Sequence, residues 1–331
     1  MDYKELFKQF ESLNVMIVGD VMIDAYWYGK VERISPEAPV PVCTVERREN
    51  RLGGAANVAL NITSMGATPI ICSVVGNDAE GKILQELFTS SAMSVEGIVA
   101  SDKRCTTVKT RIIGNKSQML RIDAEKDSPI SEDEEIIFIE RINHILDSKK
   151  IDALIFQDYD KGVITPNVIK QITDKAKSKN IPICVDPKKR NFANYHNADL
   201  FKPNLKELKD GLNLNIATPD KESLIKAADI LHQTMNIRKI FITLSEYGVF
   251  IADYTSDKAD VHLLPAQLRK IADVSGAGDT VISLASLCLA LNLPAAELAK
   301  ISNMSGGLVC EYAGVVPIDK SVLLSELNRH E

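Results

Sequence analysis

Short apolar runs alternate with helical patterns over most of the chain. The runs have the sequences VMIVGD, PIICSVVG, DALIFQD, IPICVDP, DLFKPN and KIFITLS. Helix-like segments lie between them, at 79–91, 131–147, 166–178 and 219–235. Strands that are apolar throughout have no face for solvent. The alternation therefore predicts a three-layer α/β/α domain, in which helices cover both faces of a mostly parallel central sheet.

Two segments interrupt this alternation. Residues 25–51 and 105–127 show strand-like patterns with turn residues such as Gly114 and Asn115, and no helical pattern. We expect them to pair into a small β-sheet that forms a lid over one edge of the main domain. No linker, repeat or low-complexity tract divides the chain, so a single domain is expected over residues 1–331.

Composition excludes several classes of partner. The 331 residues carry a formal net charge of −6, whereas nucleic acids and anionic membranes require a basic surface. The six cysteines are scattered singly, so neither a zinc site nor a disulfide framework is expected. The sequence shows no signal peptide and no apolar stretch of membrane-spanning length. We therefore expect a cytoplasmic protein.

The stretch ADVSGAGDT, at 272–280, places two glycines directly before the apolar pattern VISLASLCLALNL. Glycines at the first turn of a helix let backbone N–H groups converge, and the helix dipole favours negative charge there. Asp279 lies in this turn, where a carboxylate can take a proton from a hydroxyl that attacks a phosphoryl group. The same residues also fit a plain helix cap, in which Asp279 only complements the dipole. This stretch alone leaves both interpretations open.

A second glycine-rich stretch is RLGGAANVALNITSMGATPIICSVVGND. Gly53 and Gly54 precede a helix that is expected to begin near Asn57, and the small residues around them permit close approach of a ligand. Neither a Walker A motif nor a G-x-G-x-x-G motif stands between a strand and a helix. The usual P-loop and dinucleotide-binding interpretations therefore lack their signature.

Together, the two stretches resemble the paired signatures of the ribokinase-like (PfkB) family of carbohydrate kinases. The block GGAAN…G…VGND is similar to the N-terminal signature, and DVSGAGDT is similar to the C-terminal one. GDVMID, the DP at 186–187, KPNLKEL and TLSEYG also agree, so the resemblance covers residues from about 12 to 320. It implies a ribokinase-like fold, with ATP and Mg²⁺ as cofactors for phosphoryl transfer to a sugar.

The resemblance implies roles for residues at the sugar. Asp279 is the expected general base, and the anion hole is formed by Gly276, Ala277 and Gly278. The residues expected to bind the sugar phosphate are Asp24 at the end of the first strand, Gly53, Gly54, Asn57, Arg111, Arg121, Asp158 and Lys161. A phosphate already on the sugar needs cations away from the anion hole, for which the arginines, Lys161 and Lys109 are candidates.

The resemblance also implies a nucleotide site. The residues expected to bind ATP are Lys188, Asn204, Glu207, Thr243, Ser245, Gly248, Gly276, Gly278 and Asn303. Asn204 and Glu207 lie one helical turn apart and can organise Mg²⁺ with its waters, although this pair also fits a helix cap. Ser245 stands where most of the family has a glycine. Asp273 and Ser275 match positions that hold a monovalent cation in some relatives, which makes K⁺ a candidate.

Within the family, RISPEAPVPV, QMLRID, QDYDKGVIT and VDPK resemble the kinase half of the bacterial heptose-7-phosphate kinase/ADP-heptose synthases. This branch implies phosphorylation of D-glycero-D-manno-heptose 7-phosphate at O1, for lipopolysaccharide or surface-glycan synthesis, and a homodimer formed through the lid. No histidine forms the H-x-G-H motif of the nucleotidyltransferase half, so a stand-alone kinase is expected. The alternatives are a kinase of this family for another sugar, sugar phosphate or nucleoside, and a non-catalytic sugar- or nucleotide-binding protein.

Overall fold

The computed structural model describes residues 1–214, 216, 219–267 and 269–329. Its strands are β1 (Asn14–Gly19), β2 (Val21–Ile34), β3 (Pro41–Gly54), β4 (Thr68–Gly76), β5 (Gly97–Ser101), β6 (Val108–Gly114), β7 (Ser117–Ala124), β8 (Ala153–Gln157), β9 (Ile183–Asp186), β10 (Leu200–Phe201), β11 (Lys239–Thr243), β12 (Val249–Asp253) and β13 (Asp260–Leu264). Its α-helices are α1 (Tyr3–Phe10), α2 (Ala55–Ser64), α3 (Ala79–Ser90), α4 (Glu132–Ser148), α5 (Pro166–Ser178), α6 (Leu205–Leu212), α7 (Lys221–Met235), α8 (Ala277–Ala290), α9 (Ala295–Val309) and α10 (Lys320–Arg329).

Among the described residues, nine strands form one large sheet, in the order β13-β12-β11-β10-β9-β8-β1-β4-β5. The pairs from β11 to β5 are parallel, whereas β12 pairs antiparallel with both of its neighbours. Each of the six apolar runs in the sequence contains all or most of one of these strands. The predicted mostly parallel sheet is therefore confirmed, and β5, β12 and β13 are additional strands that the sequence reasoning did not single out.

Helices cover both faces of the large sheet. One apolar core contains buried residues of α1, α2, α3, α8, α9 and α10, and the other contains those of α4 to α7. The four helix-like segments predicted between the apolar runs correspond to α3, α4, α5 and α7, with ends that differ by at most two residues. Within the ranges given above, no helix combines the length and apolar character that crossing a bilayer requires.

The two interrupting segments pair into a second sheet, in the order β3-β2-β6-β7. β2 pairs antiparallel with β3 and parallel with β6, and β6 pairs antiparallel with β7. Asp20 is the single residue between β1 and β2, and β3 ends at Gly54, directly before α2. The predicted small sheet is thus confirmed, and it is attached to the large sheet without a flexible connection.

Ile155→Ala tests the central position of β8. Ile155 is fully buried and lies between Ile17 of β1 and Cys184 of β9, so we expect the free energy of unfolding to fall by about 2–5 kcal/mol in urea titrations. The matched control is Ile137→Ala on α4, where the side chain is 50% exposed and the expected loss is under about 1 kcal/mol. Equal losses in the two variants would contradict this arrangement of the core.

Candidate active site

Asp279 lies in the first turn of α8 and is 7% exposed. Its Oδ1 accepts hydrogen bonds from the Tyr159 hydroxyl at 2.5 Å and from Gln157 Nε2 at 3.1 Å. Its Oδ2 accepts one from Asn57 Nδ2 at 2.7 Å. These donors come from the end of β8, the loop after it and the first turn of α2. The structure therefore brings together Asp279 and Asn57, two residues that the sequence placed in different signatures.

The pKa of Asp279 is raised to about 6. Burial is the main cause, since it disfavours the charged carboxylate, and the negative charge of Asp186 acts in the same direction. The hydrogen bonds from Asn57 and Tyr159 and the charge of Lys202 oppose this shift. A carboxylate with a pKa of about 6 is mostly ionised at neutral pH, and it accepts a proton more readily than an ordinary aspartate. Asp279 therefore suits proton abstraction from a hydroxyl.

Gln157 links Asp279 to a second buried carboxylate. Its Nε2 also donates to Asp186 Oδ2 at 3.2 Å, and Lys202 Nζ lies 3.0 Å from the same oxygen. Lys202 and Asp186 are only 2% and 4% exposed. Burial alone would raise the pKa of Asp186, but the ammonium groups of Lys202 and Lys188 outweigh it and lower that pKa. Asp186 is thus ionised, and Lys202 balances its charge inside the protein.

The N-terminus of α8 fits a bound anion. Gly276 caps the helix with a φ of +82°, in the left-handed region that favours glycine, and no side chain of the described residues hydrogen-bonds to this helix end. The Ala277 N–H contacts a carbonyl oxygen of the preceding turn at 3.3 Å. Because the first N–H groups of a helix lack intrahelical partners, those of Gly278 and Asp279 can donate to an anion. Lys202 Nζ lies 3.8 Å from the place that a Cβ would take on Gly278, so an ammonium group faces the same space.

Asp20 fixes the loop that bears Tyr159. Its Oδ2 accepts the N–H groups of Tyr159 at 2.9 Å and Lys161 at 3.2 Å, and its Oδ1 accepts that of Val163 at 3.0 Å. Asp20 is 1% exposed, and this burial raises its pKa although the three N–H groups act against the shift. Three donors of one loop converge on one side chain, so the backbone at Tyr159 has a defined position.

Asp158, which we predicted to bind the sugar, faces away from Asp279. It is 1% exposed and accepts a hydrogen bond from the Tyr195 hydroxyl at 2.8 Å. Successive side chains of an extended chain point to opposite sides. The side chains of Gln157 and Tyr159 therefore both point toward Asp279, and the side chain of Asp158, between them, points to the opposite side. The structure therefore does not bring Asp158 together with Asp279, and its predicted sugar contact stays a prediction.

Sequence reasoning missed five residues of this network: Asp20, Gln157, Tyr159, Asp186 and Lys202. A signal for them was present, because each lies at or just after the end of an apolar run, in VMIVGD, DALIFQDY, IPICVDP and DLFKPN. The carboxyl ends of neighbouring parallel strands meet at one edge of a sheet. Polar residues at the carboxyl ends of several apolar runs thus predict one polar site at that edge of the sheet.

Asp24 lies within β2 and not, as predicted, at the end of the first strand, because β1 ends before Asp20. Asp24 is 5% exposed, and its Oδ1 lies 2.5 Å from Arg111 Nη1 on β6. Gly53 on β3 permits this position, since a Cβ there would lie 2.3 Å from Asp24 Oδ2. The small sheet therefore brings together three of the residues that were predicted to bind the sugar phosphate.

Three of the four predicted phosphate-binding cations form a chain of alternating charges. Glu125 accepts from Lys161 at 2.8 Å and from Lys109 at 2.9 Å. Asp123 then pairs with Lys109 at 2.9 Å and with Arg121 at 2.8 Å. Lys161 follows β8 of the large sheet, and the other residues lie on or beside β6 and β7. These ion pairs connect the two sheets.

Asn204 and Glu207 form a capping box at the N-terminus of α6. Each side chain accepts the other residue's N–H at 2.8 Å, so the cap that the sequence left open as an alternative is present. Glu207 also pairs with Lys188, whose Nζ lies 3.6 Å from Asp186 Oδ1. Burial would lower the pKa of Lys188, but Asp186 and Glu207 outweigh it and raise that pKa. Lys188 thus joins the predicted nucleotide residues to the Asp186 network.

Two carboxylates beside Lys188 fit a magnesium ion that is held mainly by phosphates. Over the described ranges, no three His, Cys, Asp or Glu side chains gather into a metal-binding group. Asp186 Oδ1 is buried and has no hydrogen-bond partner among those residues, and Glu207 supplies further oxygen donors. Mg²⁺ in phosphate sites uses one or two carboxylates and keeps several waters, so this donor set suffices.

The remaining predicted nucleotide residues lie at the end of β11, in the turn after it and on α9. Thr243 ends β11 and pairs with Asn204 in an isolated bridge. Ser245 has a φ of +52°, the left-handed conformation that glycine adopts most easily, which accounts for the glycine usual at this position. Gly248 closes the same turn, with a φ of +93°. Asn303 lies on α9, where its side chain donates to a backbone carbonyl oxygen at 2.9 Å.

The predicted K⁺ residues lie in the loop before α8. Asp273 Oδ1 accepts the Ser275 N–H at 2.9 Å, and its Oδ2 accepts the Gly314 N–H at 3.0 Å. The carboxylate therefore ties this loop to the one after α9, close to the N-terminus of α8.

Comparison with known proteins identifies the family of the chain. The family model described as pfkB family carbohydrate kinase matches residues 12–320. The chain belongs to this family. As a pfkB carbohydrate kinase, it is a phosphotransferase that acts on a sugar hydroxyl.

Relatives of similar sequence include two proteins named bifunctional protein HldE. The one from Syntrophotalea carbinolica is 36% identical over 327 residues, which are 99% of this chain and 65% of that protein. The one from Methylobacillus flagellatus is 37% identical over 317 residues, 96% of this chain and 64% of that protein. The chain thus spans slightly less than two thirds of the length of these relatives.

Solved structures show the same fold. Phosphofructokinase-2 from Escherichia coli, in complex with potassium, has a TM-score of 0.77 at 19% identity, covering 96% of this chain and 99% of that one. Ribokinase from Arabidopsis thaliana, complexed with ribose and ATP, has a TM-score of 0.71 at 16% identity, covering 94% and 98%. The pfkB kinase described here therefore has the ribokinase-like α/β fold that the sequence predicted.

Lys202→Met tests the buried charge balance. The variant leaves Asp186 ionised without its cation, so we expect the free energy of unfolding in urea to fall by about 3–5 kcal/mol at pH 8. Without Lys202 the folded-state pKa of Asp186 rises above its unfolded value. Protonation then favours the folded state as the pH falls, and the difference from the wild type shrinks toward pH 5.

The matched control is Lys226→Met on α7. Lys226 is 71% exposed beside Glu222, so its loss should cost under about 1 kcal/mol at every pH. A pH-independent loss in Lys202→Met would contradict the proposed charge balance.

Proposed function

We propose that the chain is an ATP-dependent kinase that phosphorylates D-glycero-D-manno-heptose 7-phosphate at O1. The observation that carries this proposal is Asp279, a buried carboxylate with a pKa of about 6 in the uncapped first turn of α8. The relatives named bifunctional protein HldE support the heptose-kinase branch that the sequence resembles. The product is a heptose 1,7-bisphosphate for nucleotide-activated heptose, used in lipopolysaccharide or another surface glycan.

Asp279 takes the proton of the O1 hydroxyl as that oxygen attacks the γ-phosphorus of ATP. The new O–P bond forms while the bond between the γ-phosphorus and the bridging oxygen breaks, and that oxygen leaves with ADP. The proton stays on Asp279 until it passes to solvent. The N–H groups of Gly278 and Asp279 and the ammonium group of Lys202 stabilise the charge on the transferred group.

The four cations on and beside the small sheet support a phosphorylated substrate. Arg111, Arg121, Lys109 and Lys161 are all paired with carboxylates. A sugar phosphate can replace such a carboxylate, since arginine binds phosphate through two parallel hydrogen bonds. The residues proposed to bind the sugar hydroxyls are Asp24, Gly53, Gly54 and Asn57.

We place the nucleotide along the ends of β9 to β11. The proposed ATP-binding residues are Lys188, Asn204, Glu207, Thr243, Ser245, Gly248, Gly276, Gly278 and Asn303. Asp186 and Glu207 would hold a magnesium ion, which would neutralise phosphate charge when bound. A monovalent cation at Asp273 and Ser275 remains a proposal, supported by the potassium complex of a protein with the same fold.

The proposed catalytic unit is one domain, in which the small sheet is a lid. Closure over the sugar excludes water from the transferred group. All six cysteines are free, which agrees with a reducing compartment and supports a cytoplasmic location.

We also propose a homodimer formed through the lid. β7 is exposed along its whole length, and it is an edge strand with unpaired backbone groups. Exposed apolar side chains on or beside the small sheet are Ile34, Val40, Val45, Met119, Leu120 and Ile122. Apolar patches of this kind are typical of association surfaces.

Leu120→Glu tests the dimer. Leu120 is 57% exposed on β7, and a charge there should convert a dimer to a monomer in light scattering after size exclusion, because charge is depleted from interface cores. The control is Ile137→Glu, 50% exposed on α4, which should keep the wild-type mass. A wild-type protein that is monomeric at tens of micromolar contradicts the proposal.

ADP release by the purified protein with Mg-ATP and K⁺ tests the reaction. The acceptors compared are D-glycero-D-manno-heptose 7-phosphate, sedoheptulose 7-phosphate, fructose 6-phosphate, ribose and adenosine. We expect turnover with the first of these, and Asp279→Asn should lower kcat by about 10²–10⁴ because the base is lost.

Asp253→Asn is the matched control for Asp279→Asn. Asp253 is also buried, but it pairs with Lys239 near one edge of the large sheet, so the variant should keep the wild-type kcat. Turnover confined to another acceptor contradicts the heptose assignment and leaves the kinase mechanism intact. Absence of turnover with every acceptor contradicts the proposed function.

A further inference from the structure

The two oxygens of Asp279 have unequal sets of hydrogen bonds. Among the described residues, Oδ1 accepts from Tyr159 at 2.5 Å and from Gln157 at 3.1 Å, whereas Oδ2 accepts only from Asn57, at 2.7 Å. Each carboxylate oxygen has two lone-pair sites. The protein therefore occupies both sites of Oδ1, and Oδ2 keeps one site for a further donor.

We propose that Tyr159 is a positioning residue that directs the proton of the acceptor hydroxyl to Oδ2 of Asp279. The proposal rests on the proposed role of Asp279 as the general base. Two donors on Oδ1 fix the plane of the carboxylate, so that Oδ2 offers its remaining lone pair to the sugar. The proton that leaves the acceptor hydroxyl binds there, and Tyr159 keeps its own proton throughout.

Tyr159 is suited to act as a fixed donor. Burial and the negative charge of Asp279 raise its pKa well above the usual range, so the hydroxyl stays protonated and does not compete for the proton. Asp20 holds the backbone N–H of Tyr159 at 2.9 Å, and Lys188 Nζ lies 5.7 Å from the centre of its ring. A donor held from both sides requires no rearrangement when the proton moves.

The groups around Asp279 determine the effect of removing this donor. The ionisable groups that face it are Tyr159 after β8, Asp186 and Lys188 at and after the end of β9, and Lys202 after β10. Tyr159→Phe removes one hydrogen bond to the charged carboxylate and leaves the other groups in place. Loss of a hydrogen bond to the ionised form raises the pKa of a carboxyl group.

We expect Tyr159→Phe to move the acid limb of the kcat/KM profile upward by about one pH unit. Activity needs ionised Asp279, so it falls as the pH drops through the pKa of that group, which is about 6 in the wild type. We also expect kcat to fall about tenfold with little change in KM for the sugar. A purely structural role would not move the acid limb.

Tyr195→Phe is the matched control. Its hydroxyl donates to the buried Asp158 at 2.8 Å, and burial raises the pKa of that carboxyl to about 6 as well. An acid limb that moves in Tyr159→Phe and stays in place in Tyr195→Phe assigns the limb to Asp279 and supports the proposal. An acid limb that stays in place in Tyr159→Phe, or that moves in Tyr195→Phe instead, overturns it.

A second measurement needs no substrate. Carboxyl ¹³C labelling of aspartate allows the pKa of Asp279 to be followed by NMR, with Asp279→Asn identifying its resonance. A higher pKa in Tyr159→Phe supports the proposed contact even where no tested sugar is turned over, which separates this proposal from the proposed function. An unchanged pKa of Asp279 in Tyr159→Phe overturns the proposal. A lower KM with faster turnover in the same variant also overturns it, because this result would mean that the sugar displaces Tyr159 from Oδ1 in the wild type.

Discussion

The Asp20 side chain and carbonyl connect most of the parts described above. Asp20 is the single residue between β1 and β2, and its carboxylate accepts three N–H groups of the loop after β8. Its backbone carbonyl oxygen also accepts the first N–H of α2, at 3.0 Å. An irregular loop in the interior must find partners for its backbone groups. Here one carboxylate supplies them, and the loop then presents Tyr159 toward Asp279 and Lys161 toward the small sheet.

The same site shows how a buried base can exist beside other buried charges. Asp186 and Asp279 share the Gln157 amide, and two adjacent carboxylates would repel one another without compensation. Lys202 compensates for one of the two charges. Asp279 is stabilised mainly by the neutral donors Asn57 and Tyr159 and less by Lys202, so burial outweighs them and raises its proton affinity. Within this network, the ion pair of Asp186 and Lys202 stabilises the buried charge, and Asp279 remains available to accept a proton.

Much of this could be predicted from the sequence. The alternation of apolar runs and helical patterns predicted the parallel sheet, and the glycine-rich stretches identified Asp279 and Asn57, which the structure joins by a hydrogen bond. The partners of Asp279 were harder to find, because Gln157 and Tyr159 belong to neither signature. The direction in which these two side chains point depends on the strand alternation at the end of β8, which also turns Asp158 away from Asp279. The ion pairs of Lys109 and Arg121 depend on how β6 and β7 pair, and composition does not determine such a register.

The direct attachment of the small sheet has a mechanical consequence. β3 runs into Gly54 and α2, and α2 bears Asn57, which donates to Asp279. Asp20 alone separates β1 from β2, and no residue separates β3 from α2. Neither connection is long enough to act as a flexible hinge. A tilt of the sheet over a sugar must therefore shift the Asn57 amide relative to the carboxylate. With the small sheet as the proposed lid, the proton affinity of the proposed base is coupled to the arrival of the sugar through the backbone of β3 and α2.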